Sequence, residues 1–166
     1  MRLELSSIID RPGESLAFST SVDLSDLVFG TSQPVSEPVT ASGAVRNTAG
    51  VLVMKGVITT CIHGVCDRCA AAFDRNLEIP IDAVLVSELA NEENEDEWVF
   101  PLEADAADLD DIIRTIFVLN MDAKLLCKED CKGLCCKCGK NLNDGPCNCQ
   151  KEIDPRFAAL RQLLDK

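Results

Sequence analysis

The sequence predicts an α+β fold: a mostly antiparallel β-sheet or partial barrel with one covering helix, plus a small cysteine-rich module at the C-terminus. Three observations predict it. Val39–Val45 and Val51–Ile62 are β-branched segments, and Leu77–Leu85 keeps to the two-residue period of strands. Leu109, Ile112, Ile113, Ile116 and Phe117 recur instead at i, i+3, i+4, i+7 and i+8, which gathers them on one side of a helix. Seven of the ten cysteines then fall within Cys127–Cys149, so the chain divides into a β-rich body over 1–126 and a cysteine-rich module with a closing helix over 127–166.

The elements follow in order. Met1–Ile9 alternates enough for an opening strand, and Asp10-Arg11-Pro12-Gly13 ends it as a turn. Leu16–Leu27 suits a second strand that finishes in a helical turn, and Thr31–Pro38 reads as a loop. Val39–Val45 and Val51–Ile62 make a hairpin across Arg46-Asn47-Thr48-Ala49-Gly50. Val51–Ile58 is apolar on both faces, as a central strand would be. Leu77, Ile79, Ile81, Ala83 and Leu85 alternate as a further strand, in which Pro80 implies an edge position or a beginning. Glu88–Glu97 is acidic with no basic residue, the composition of a solvated loop; a nucleic-acid mimic or partner-binding loop is the alternative. Trp98-Val99-Phe100 returns to strand, and Asp105 or Asp108 caps the amphipathic helix that covers the sheet. Asp154-Pro155 starts a closing helix whose stripe of Phe157, Leu160, Leu163 and Leu164 docks on the core or on a partner.

Composition narrows the class. No run resembles a signal peptide or reaches the length of a membrane span, so a cytoplasmic setting is expected. There, ten cysteines argue for metal rather than disulfides. The formal net charge of −12 excludes a general nucleic-acid coat, because phosphate binding relies on Lys and Arg displacing counterions.

Cysteine spacing says which thiols can share an ion. Cys135 and Cys138, with Gly139 directly after, form a CxxCG knuckle that aims two thiolates at one point. Asn143-Asp144-Gly145-Pro146 is a strong turn that would fold Cys147 and Cys149 back onto that pair, giving a short zinc-ribbon-like Cys₄ site. One tetrahedral ion cannot take six ligands, so Cys127 and Cys131 need another partner. The remaining short-spaced pair is Cys66 and Cys69 in CDRC, and a second Cys₄ site of these four would tie the end of the chain to its middle. Two zinc ions are therefore expected. Cys61 and Cys136 are left over as small buried apolar residues. His63, the only histidine, lies three residues before Cys66 and is either a substitute ligand or a plain strand-end residue.

CDRC, followed by LCKEDCKGLCCKCGKNLNDGPCNC and then DPRFAALRQLL, closely resembles the bacterial YceD family of large-ribosomal-RNA-subunit accumulation proteins. The resemblance covers most of Val51–Leu164, and Met1–Gly50 matches only loosely. Family members usually carry proline at the position of Cys136, which implies that Cys136 is no ligand. Some members lack the ribbon and keep a CxRC-like pair, which implies two separable sites. The resemblance also implies a zinc-bound factor for accumulation and processing of large-subunit (23S) ribosomal RNA, whose partner is a large-subunit precursor, through RNA, ribosomal protein or both.

The residues themselves assemble no nucleophile–base pair, and closed Cys₄ sites offer no open metal position, so no enzyme and no small-molecule substrate are expected. Lys128, Lys132, Lys137 and Lys140 offer a local basic face for RNA or a partner, or else balance the neighbouring thiolates. Base-stacking aromatics are absent from the ribbon, which argues against sequence-specific reading of single strands. The alternative functions are a redox-sensitive zinc–thiol switch and a general protein-interaction module.

Overall fold

The structure, a computed structural model, describes residues 1–30, 32–87 and 98–149. The acidic stretch Glu88–Glu97 and the closing helix expected after Asp154 lie outside the described residues, as does Thr31. Described in chain order are β1 (Arg2–Glu4), α1 (Ser6–Ile9), β2 (Ser15–Val22), β3 (Val39–Thr48), β4 (Val51–Val65), β5 (Ala72–Val86), β6 (Val99–Pro101), β7 (Ala106–Asp108) and α2 (Leu109–Asn120).

Strands β2 to β6 form one open sheet in sequence order, and β1 pairs with β7 in a separate two-stranded ribbon. Neighbours in the large sheet are antiparallel except β5 and β6, which run parallel over Val84↔Val99, Leu85↔Phe100 and Val86↔Pro101. β2 and β6 stand at opposite ends of the order, so the barrel considered from sequence does not close.

The register sorts the side chains. Val45 opposite Met54, Ala41 opposite Ile58 and Ile58 opposite Ile79 bring buried residues onto one face. The other face carries exposed pairs such as Lys55 and Asp82, 3.1 Å apart. Helix α2 covers the apolar face with Leu109, Ile112, Ile113, Ile116 and Phe117, all buried. Asp108 caps it by accepting the Asp110 N–H at 3.1 Å, and Phe29 meets Phe117 edge-on with ring centroids 6.3 Å apart.

The opening strand is shorter than expected and ends at Glu4. Leu5 and Ile8 are both buried and three residues apart, which one helical turn can put on the same side and a strand cannot. Buried Asn47 holds that turn to the β3–β4 hairpin by donating to the Ile8 and Ile9 carbonyls at 2.8 and 2.6 Å. The hairpin itself turns through Ala49 and Gly50, both at positive φ (53° and 93°), the two-residue geometry that matches strand twist.

β4 and β5 outrun the rest of the sheet. β3 stops opposite Thr59, so Thr60–Val65 and Ala72–Leu77 continue as a two-stranded arm. Six residues at about 3.4 Å each carry it roughly 20 Å beyond β3. Pro80 lies opposite Val57, in the stretch where β5 is not joined by β6, so the edge position expected for it is met locally. The arm ends in Cys66-Asp67-Arg68-Cys69, and the cysteine-rich segment folds against that tip.

Candidate metal centres

Two sets of four thiols converge, each with its sulfurs all within 4.8 Å of one another: Cys66, Cys69, Cys127 and Cys131, and Cys135, Cys138, Cys147 and Cys149. We call them the proximal and distal sets. In the proximal set Cys66 and Cys131 sulfurs are 3.8 Å apart and Cys69 and Cys127 sulfurs 3.7 Å apart. A tetrahedral ion with metal–sulfur bonds of about 2.3 Å would need sulfurs about 3.8 Å apart. The distal pair Cys135 and Cys147 stands closer, at 3.4 Å. Donor type and spacing in both sets thus fit a soft, four-coordinate cation.

The two knuckles are built alike. Ala70 N–H donates to the Cys66 carbonyl at 2.8 Å and Cys66 N–H to Ala71 at 2.9 Å. Gly139 N–H donates to Cys135 and Cys135 N–H to Lys140, both at 2.9 Å. The turn requires a left-handed residue, which is Gly139 (φ 70°) in the ribbon and Ala70 (φ 54°) on the arm. Each turn points backbone amides at its first sulfur. Burial resists charge at Cys66, but the amides of Cys127, Arg68 and Cys69 outweigh it and bring the thiol down to about 6. The amides of Cys138 and Lys137 likewise bring Cys135 down to about 6. The last thiolates resist: burial and then its three sister cysteines push Cys127 up to about 12, while Cys138 and then burial push Cys149 up to about 12. Four sulfurs so crowded can all be charged only against a cation.

The flanking residues of CDRC fasten the arm to the tail. Asp67 exchanges two bonds with Leu125: its N–H donates to the Leu125 carbonyl at 2.8 Å, and its carboxylate accepts the Leu125 N–H at 2.7 Å. The Arg68 guanidinium donates to the Glu129 and Cys131 carbonyls at 3.2 and 3.1 Å. Cys66, Cys69 and Cys131 are buried with Phe73, Leu126 and Cys127 in a small cluster separate from the main core. Sequence reasoning passed over Asp67 and Arg68 because they show no periodicity; their place between two ligand-spaced thiols was the available signal.

The other candidates fall elsewhere. His63 is outside both sets, its Nδ1 2.7 Å from Asp74 on the exposed face of the arm. Cys61 is half-buried and Cys136 exposed, so neither is the buried apolar residue expected. Cys61 falls on the outward face of β4, beside Asn76, and Cys136 lies between two thiols that must converge inward. Lys128, Lys132, Lys137 and Lys140 are all exposed. Lys128 lies 3.8 Å from Asp130, and the Lys140 ammonium donates to the Pro146 carbonyl at 2.9 Å. No helix among the described residues is long and apolar enough to cross a membrane.

Comparison with known proteins places this arrangement. A family model described as "Large ribosomal RNA subunit accumulation protein YceD" matches residues 54–164. The chain is 28% identical over 162 residues to the "Large ribosomal RNA subunit accumulation protein YCED homolog 1, chloroplastic" of Arabidopsis thaliana, covering 80% of this chain and 50% of that protein. It is also 28% identical over 117 residues to an uncharacterized protein of Mycobacterium tuberculosis, covering 69% of this chain and 56% of the relative. An uncharacterized protein of Mycobacterium leprae is 24% identical over 129 residues, 76% of this chain and 59% of the relative. The chain thus spans about half the length of the curated relatives it matches. No solved structure matches it significantly. Both thiol sets fall inside the matched span, and the chain belongs to the YceD family.

Proposed function

We propose that this chain is a non-catalytic, zinc-bound factor that promotes accumulation and assembly of the large-subunit ribosomal RNA. The observation that carries the reading is the family match over residues 54–164, which takes in the arm, the covering helix and both thiol sets. Four thiols per set complete a tetrahedral shell, so a bound ion would serve as a cross-link and leave no position for a reacting water. Its partner is a large-subunit precursor, met through RNA, a ribosomal protein or both. The acidic total disfavours tight binding of free RNA. Lys128, Lys132, Lys137 and Lys140 supply a small exposed contact that a partner reinforces.

Protein purified without chelator is expected to carry two zinc ions per chain by elemental analysis. One ion, with Cys66 and Cys69 freely alkylated, would remove the proximal centre from the proposal.

A low-salt gradient of gently lysed cells is expected to place part of the protein with large-subunit precursors. Replacing the four lysines by Ala should reduce that fraction while leaving the melting temperature nearly unchanged, since exposed charges contribute little to folding. A strain without the protein should accumulate less mature large-subunit RNA. Protein that stays wholly at the top of the gradient, with ribosomal RNA unaltered in the deletion, defeats the assembly reading. The second reading, a zinc–thiol redox switch, then gains from one observation: Cys138 of the distal set is exposed and Cys136 beside it is exposed too.

A further inference from the structure

We propose that Asn143, delivered by the distal module, is an outer-sphere residue of the proximal metal centre, so that an intact distal set slows loss of metal from the proximal one. The inference rests on reading both thiol sets as metal centres. Its physical basis is a hydrogen bond that crosses between them: Asn143 Nδ2 lies 3.3 Å from Cys131 Sγ. Cys131 belongs to the proximal set, whereas Asn143 lies in the loop that links Cys138 to Cys147 of the distal one.

The orientation of the amide is fixed by its surroundings. Asn143 Oδ1 accepts the Lys132 N–H at 2.9 Å, while Nδ2 faces both Cys131 Sγ and, at 2.8 Å, Asn141 Oδ1. Reversing the amide would set an oxygen against two acceptors and a nitrogen against a donor, so the N–H must point at sulfur.

The loop that carries Asn143 is itself docked on the arm. Leu134 N–H donates to the Arg68 carbonyl at 3.1 Å, and Leu142 N–H to Gly133 at 2.9 Å. Gly133 passes so close that a Cβ there would sit 2.9 Å from the Arg68 carbonyl oxygen, and its φ of 73° suits glycine. The distal set closes this loop by joining Cys135 and Cys138 to Cys147 and Cys149 across it. Without that closure the loop gains freedom, and the amide is no longer held at the Cys131 sulfur.

A donor at a ligating thiolate spreads its charge and orients it, and removing outer-sphere partners of this kind lowers metal affinity by about 10–100-fold. Asn143→Asp separates the donor from the rest of the side chain. It keeps an oxygen for the Lys132 N–H and loses the N–H directed at Cys131. Asn143→Ala lacks both but adds no charge.

The test follows zinc transfer from purified full-length protein to a chromogenic chelator. Wild type should release its two ions in a fast, distal phase and a slow, proximal phase. Both Asn143 variants should still bind two ions, with the slow phase accelerated about tenfold or more. Cobalt-substituted variants should show the thiolate-to-cobalt charge-transfer band of one centre shifted. Cys147→Ser should accelerate proximal release by a similar factor, and adding Asn143→Asp to it should change little more. Unchanged slow release in both Asn143 variants overturns the proposal. So does acceleration in Asn143→Asp alone, which would trace the effect to the added charge, or unaltered proximal release in Cys147→Ser. A wild type that holds fewer than two ions is a failure of the two-centre reading itself.

Discussion

Replacing Cys69 by Ser is expected to free the tail from the arm, whereas Cys138→Ser is expected to loosen the ribbon while the tail stays attached. Each variant should bind one metal ion instead of two, so the metal count alone cannot tell them apart. Hydrogen exchange can. In Cys69→Ser the lost centre is the one that joins Cys66 and Cys69 on the arm to Cys127 and Cys131 on the tail. If the proposed ion there is zinc, it would contribute on the order of 10 kcal/mol to the order of the segments it joins. The Asp67–Leu125 pair and the Arg68 contacts to Glu129 and Cys131 are hydrogen bonds worth about 1 kcal/mol net each, too few to replace it. Amides at the arm tip and through Cys127–Cys131 should therefore exchange nearly as fast as an open chain. In Cys138→Ser the same amides should stay protected, even if proximal metal leaves faster, and only Cys135–Cys149 should open. The same exchange pattern in both variants would falsify the division into proximal and distal centres.

Much of the body was legible because burial writes a period into the sequence. The i, i+3, i+4 spacing of Leu109–Phe117 identified α2, and the alternation from Leu77 to Leu85 identified β5. The strands proved longer than their apolar patterns: β5 begins at Ala72 and β4 runs on to Val65, because the arm is a ribbon with one face exposed, where polar residues suffice. The parallel pairing of β6 was not readable, since three residues carry no signal of direction. Cysteine spacing suggested the two sets because short-spaced pairs such as CxxC aim two thiols at one point, and two such pairs fill a tetrahedral shell. What surrounds them stayed hidden. Asn143 read as part of a turn, and nothing in its neighbourhood marks a bond to a sulfur twelve residues back. Such contacts depend on how one loop docks on another, which a sequence pattern does not encode.

Phe117→Ala should have the opposite signature to Cys69→Ser: a large loss of stability in the body with both metal ions retained. Phe117 is fully buried and is the largest of the fully buried side chains among the described residues, where α2 meets Phe29 and the sheet. Truncating a buried Phe costs about 3–5 kcal/mol in lost transfer energy and cavity, against a total of roughly 5–15 kcal/mol for a domain. At this chain length a loss of that size corresponds to a melting temperature lower by on the order of 10 °C. The metal count should not follow, because Cys66, Cys69 and Cys131 pack in their own cluster, which among the described residues shares no buried residue with the core around Phe117. The physical link between the two is the arm, a two-stranded ribbon held by its own ladder from Thr60 to Leu77. Thermal melting by circular dichroism, paired with elemental analysis below the transition, measures both quantities on one sample. A zinc content that falls in Phe117→Ala while the protein is still folded would mean that core and centres form a single cooperative unit. The contrast with Cys69→Ser would then disappear.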